Sequence, residues 1–259
     1  MAKKSKHVNK EKLNIELDKY LYKGFDLYFV LGWIAAYISM PIEEDNDTFL
    51  PEGLIFDENK LTDEKSFEKL IDNLLAVYEE MAINVYEENK LIKPALDFAS
   101  TQFNLEILIK DLPPEIKRNF LLWLMGYFIG FFVLSEDVFE ENICEVELYE
   151  EKFTPSLFIL SSCFLILVQY VDISFMGEEA QACFSELTDD ISSMWETDEP
   201  DTEEIRNIEN IHVKSEQEIN LAYVVHSLNN IFYYTRANEE KRLNNSQAKN
   251  LLDNLMTRH

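Results

Sequence analysis

The chain has 259 residues, with 49 acidic side chains against 23 basic ones and a formal net charge of -26, a field that opposes binding to nucleic-acid phosphates and to anionic lipid headgroups. Only 6 glycines and 7 prolines occur, too few for a many-stranded sandwich or for the glycine-rich loops of a doubly wound sheet. The three cysteines, Cys144, Cys163 and Cys183, are far apart and form no CxxC pair, which argues against a disulfide framework or a thiolate zinc site and fits a reducing cytoplasm.

The expected fold is therefore all-α, a multi-helix bundle of about 8–10 helices without significant sheet. Residues 1–12 carry five lysines and run into Leu13-Asn14-Ile15-Glu16-Leu17-Asp18, not into an apolar run, so they read as a basic, solvated, flexible tail and not as a secretory signal. A helical domain is expected over 13–236, either as one unit or as two halves, 13–112 and 113–236. Three apolar stretches, Phe29 to Met40, Phe120 to Leu134 and Leu157 to Val168, each fall short of the about 18–20 apolar residues that cross a bilayer core. The segments between them are acidic, without a lysine and arginine bias. Buried core helices are expected, with no membrane insertion.

The cluster Glu43-Glu44-Asp45-Asn46-Asp47 lacks the glycine and the closing glutamate of a calcium loop and reads as solvated. From Ser66 to Glu88, the positions Phe67, Leu70, Ile71, Leu74, Leu75, Val77, Tyr78, Met81, Ile83 and Val85 follow helical spacing, predicting an amphipathic helix that begins near Thr62-Asp63-Glu64-Lys65. Pro113-Pro114 breaks the chain, and Pro114 suits the first turn of a helix running through Lys117 and Arg118 to Leu134. Glu136 to Glu151 then holds eight acidic residues and reads as a surface helix or a short helix pair. Thr154-Pro155 opens the next helix. Glu178 to Glu204 has eleven acidic residues and no lysine or arginine, ending in a loop at Glu196-Thr197-Asp198-Glu199-Pro200-Asp201. A helix from about Ser215 to Arg236 follows, and residues 237–259 are expected to form a terminal amphipathic helix, Glu239 to Met256, suited to docking or to homo- or hetero-oligomer formation.

Two blocks carry a family resemblance. Gly32-Trp33-Ile34-Ala35-Ala36-Tyr37-Ile38-Ser39-Met40-Pro41, followed by Phe49-Leu50-Pro51, resembles the N-terminal signature of the YecA/YgfB-like family of uncharacterised bacterial proteins. Arg118-Asn119-Phe120-Leu121-Leu122-Trp123-Leu124-Met125-Gly126-Tyr127-Phe128-Ile129-Gly130 is similar to that family's tryptophan-glycine-aromatic-glycine helix, with Leu124 where many relatives carry cysteine. A third block, Leu228 to Arg236, resembles the tyrosine-and-arginine helix near the end of the family's domain. The resemblance spans about Gly24 to Arg236 and implies a helical fold with a regulatory or adaptor role and no established catalytic residues. No cysteine follows Cys183, so the cysteine-rich metal-binding tail of some longer relatives is not expected.

Catalytic chemistry finds little purchase. Of the four histidines, His7 and His259 lie near the termini, where precise geometry is hard to hold. Glu209-Asn210-Ile211-His212 is a single Glu-x-x-His, whereas a di-iron bundle needs two. His226 sits among Tyr223, Val224, Val225 and Leu228 and reads as a half-buried helix residue. Ser161, Ser162 and Cys163 lie in an apolar helix without a Gly-x-Ser-x-Gly turn. No Walker loop and no GxGxxG occurs.

No enzyme activity, cofactor or metal is therefore expected. The leading expectation is a cytoplasmic adaptor or regulator whose partner is a protein, a basic one steered by the acidic segment through Glu140, Glu141, Glu145 and Glu147. Three alternatives remain open: an acidic chaperone or structural subunit of a larger bacterial complex, such as a secretion machine; a metal-dependent helical enzyme using Glu209, His212 and other carboxylates; and, third, a membrane-embedded protein.

Overall fold

The computed structural model describes residues 9–39, 55–88, 105–140, 154–194 and 219–243. These contain seven α-helices: α1 (Lys10–Leu17), α2 (Leu27–Ser39), α3 (Glu64–Glu88), α4 (Pro114–Glu140), α5 (Thr154–Tyr170), α6 (Glu178–Ser193) and α7 (Leu221–Leu243). Two short 3-10 turns, Glu58–Lys60 and Ile109–Asp111, also occur among the described residues. Among the described residues only isolated bridges occur and no strand, so the fold is all-α.

Side chains that satisfy orphaned N–H groups mark most of the helix starts. Asn9 Oδ1 accepts from the Lys12 N–H at 3.0 Å to open α1. Asp26 Oδ1 accepts from Tyr28 N–H at 2.8 Å and Phe29 N–H at 3.4 Å to open α2. Asp63 caps α3 through the Ser66 N–H and hydroxyl, at 3.4 and 2.6 Å, and these bonds hold its carboxyl below the ordinary value. Pro114 is the first residue of α4, where its missing N–H costs nothing. Asn220 Oδ1 accepts from Tyr223 N–H at 3.1 Å at the head of α7.

Eleven of the 13 residues of α2 are buried, as befits a helix that is apolar all round. It lies against α4, and glycines set how closely the two approach. A Cβ on Gly32 would overlap Trp123 O, and a Cβ on Gly126 would overlap Phe29 O. The contact is reciprocal: each helix presents its glycine to the other's backbone. One turn further on, a Cβ on Gly130 would meet Ala36 Cβ at 2.9 Å and the Trp33 ring at 3.2 Å. The glycine spacing in α4 is thus spent on a helix crossing inside the bundle.

Aromatic rings extend this core outward. Trp123 stacks on Tyr127 with ring centroids 5.3 Å apart, Phe128 meets Phe164 of α5 edge-on at 5.9 Å, and Phe164 reaches Phe184 of α6 at 6.0 Å. On the other side Phe67 of α3 contacts Tyr20 and Phe56, at 5.6 and 5.1 Å. Tyr37 of α2 contacts Tyr78 of α3 at 5.8 Å. The buried side chains form one cluster to which all seven helices contribute, each large apolar group adding about 1.5–3 kcal/mol on burial.

Three sequence expectations change. Because α4 starts at Pro114, the stretch Pro114–Leu134 is 21 residues long, and among the described residues it is the one helix long and apolar enough to cross a membrane. It does not fall short of that length, but 72% of its most apolar window is buried in the fold, consistent with a core helix. α4 also continues beyond Leu134 to Glu140, so the start of the acidic segment is its last turn and no separate helix begins at Glu136. Finally, α7 does not stop at Arg236 but runs unbroken to Leu243. Arg236-Ala237-Asn238-Glu239 contains neither glycine nor proline, and nothing there interrupts a helix. The remainder of the expected terminal helix lies outside the described residues.

Candidate functional site

The residues singled out by sequence fare differently. Glu140 is the last residue of α4, while Glu141, Glu145 and Glu147 lie outside the described residues, as do Glu209, His212, Cys144 and the 43–47 and 196–201 acidic runs. His226 is on α7 but is exposed, not half-buried. Its neighbours Val224, Leu228 and Ile231 form the buried stripe, and a residue two positions from Val224 points to the opposite face.

The hydroxyl and thiol candidates of α5 are enclosed. Ser161, Ser162 and Cys163 are all buried, and burial pushes the Cys163 thiol well above its ordinary value, which leaves it protonated and unreactive at neutral pH. Cys183 is pushed up to about 11, chiefly by burial and secondarily by Glu186. Ser161 Oγ and Trp123 Nε1 are buried without a hydrogen-bond partner among the described residues. Burial likewise raises Tyr127, partly offset by the neighbouring Ser39 hydroxyl, whose own proton is donated to Ala35 O at 2.8 Å. These groups belong to the packed core.

A group of charged and polar side chains lies where α2 and α4 begin. Arg118 Nη2 is 3.8 Å from Asp26 Oδ2, with the two side chains 42% and 13% exposed, so this is an ion pair at the edge of the core. The same guanidinium lies over the Phe175 ring at 4.2 Å, and the neighbouring Lys117 ammonium lies over Tyr170 at 4.5 Å. Burial raises the Asp26 carboxyl above its usual value, against the Tyr28 N–H, Arg118 and the Phe29 N–H, which favour the charged form, and with Asp18 adding repulsion. Tyr28 is raised by burial, Asp26 and Glu115, and its hydrogen bond with Asn119 acts in the opposite direction.

Local structure explains how Phe175 reaches this position. Asp172 accepts from the Ser174 N–H at 2.9 Å and its hydroxyl at 3.0 Å, bonds that fold the α5–α6 turn and lower the Asp172 carboxyl. The turn is fastened to the α1–α2 loop by the Gly177 N–H, which donates to Lys23 O at 2.6 Å. Gly24, at φ +112°, leaves room for Met176. Asp26 stands immediately before the apolar run of α2, an N-cap position readable from sequence. Its pairing with Arg118 is not readable, since the two are far apart along the chain.

The assembly can hold two helix starts and one turn together. Among the described residues no group of three or more His, Cys, Asp or Glu is placed to hold a metal ion. Among the described residues, the exposed large aromatic side chains are Tyr170 at 49% and Tyr223 at 53%. Leu105, also exposed, accepts at its carbonyl from the Ala222 N–H at 2.8 Å. Comparison with family models, curated proteins and solved structures finds no match to this chain.

Proposed function

We propose that this chain is a non-enzymatic adaptor or regulatory protein of the bacterial cytoplasm, acting by binding another protein. The observation that carries the reading is the course of α4. The helix is anchored near its start by Arg118 and in its middle by the Gly126 crossing, and its last turn carries the chain into the acidic segment at Glu140. A basic partner would be drawn to Glu140, Glu141, Glu145 and Glu147 by a net charge of -26, which acts on encounter rate more than on lifetime. Exposed aromatic side chains, Tyr223 foremost, are of the type that supplies affinity once contact is made.

The resemblance to the YecA/YgfB-like family supports the same reading through its residues. Both principal blocks, around Gly32-Trp33 and Trp123 to Gly130, serve the helix crossing, a role in architecture and not in chemistry. The test is affinity capture of the tagged protein from its native cell, with mass spectrometry across a salt series. One partner recovered in near-equal amount supports the proposal, and traces of abundant proteins at every salt concentration would remove its basis.

A further inference from the structure

No further inference is drawn: the strongest candidate, the pair of half-buried cations near the start of α4, with Lys117 over Tyr170 and Arg118 over Phe175, rests on a helix N-terminus whose cations are already engaged by those rings and by Asp26, and nothing in the structure shows an anion or a partner seated there.

Discussion

Replacing Gly126 with alanine is a single-methyl test of the α2–α4 crossing. The added Cβ would overlap Phe29 O and lie 2.9 Å from Phe29 C and 3.1 Å from Trp33 N, all backbone atoms that cannot rotate aside. Ordinary contacts fall at about 3.5–4.0 Å, so the helices must part by about 1–1.5 Å, and a gap of that order forfeits at least a quarter to a half of the dispersion well along the seam. Phe29, Trp33, Trp123 and Tyr127 are all fully buried there, each worth about 1.5–3 kcal/mol. Overpacking strain adds about 1–3 kcal/mol, while alanine's better helix propensity returns up to about 1 kcal/mol. The expected net loss is about 2–4 kcal/mol, read from urea unfolding by circular dichroism, with Tm lower by about 5–15 °C. Gly32→Ala should cost a similar amount, because its Cβ would overlap Trp123 O. The double variant should cost less than the sum, since helices parted for one methyl accommodate the second. Gly130→Ala meets mainly side chains and should cost less than either. A Gly126→Ala protein more stable than the parent would refute the close approach.

Other consequences follow from the helix starts and the buried thiol. Asp26→Ala removes the acceptor of two N–H groups and the partner of Arg118, and should cost about 1–2 kcal/mol by denaturant unfolding, with Asp26→Asn costing less. Because the folded-state Asp26 carboxyl is raised above 3.8, the folded protein holds that proton at higher pH than the unfolded chain. Its contribution to stability is present below 3.8 and is lost as pH rises through the folded-state value. The stability of the parent relative to Asp26→Asn should therefore fall as pH rises across the acidic range, and a relative stability that increased with pH would contradict the burial of this group. A double-mutant cycle on Arg118 and Phe175 should give a coupling of about 0.5–1 kcal/mol, and no measurable coupling would mean that the ring contact is incidental. In peptide mapping after alkylation at mildly alkaline pH, Cys163 should be modified only in unfolded protein, and native-state modification would contradict its burial.

Much of the fold can be read from residue pattern because the relevant signals are local. Pro114 marks the start of α4, Asp63 the cap of α3, and the Leu70, Leu74, Val77 and Met81 stripe its buried face. The crossing was legible only in part: Gly126 and Gly130 announce a close contact, but the same spacing serves lipid-embedded and water-soluble helices. Only the reciprocal position of Gly32 against Trp123 identifies α2 as the partner. The Asp26–Arg118–Phe175 group was hidden because its members come from three separate segments, joined by tertiary contact alone. The end of α7 lies beyond the expected Arg236 for a local reason: its apolar spacing ends near Phe232, but the polar residues after it are competent helix formers. His226 was misread because apolar neighbours in sequence are not neighbours on a helix face.

The central claim is binding of a protein partner steered by the acidic end of α4. It is tested most directly by the association rate of the captured partner, at low and high salt, with the parent and with a combined Glu140→Lys, Glu141→Lys, Glu145→Lys and Glu147→Lys variant. The account predicts an association rate that falls steeply with salt in the parent and is reduced on the order of tenfold at low salt in the variant, with both proteins retaining the same helical circular dichroism. An association rate indifferent to salt and to all four reversals would contradict it.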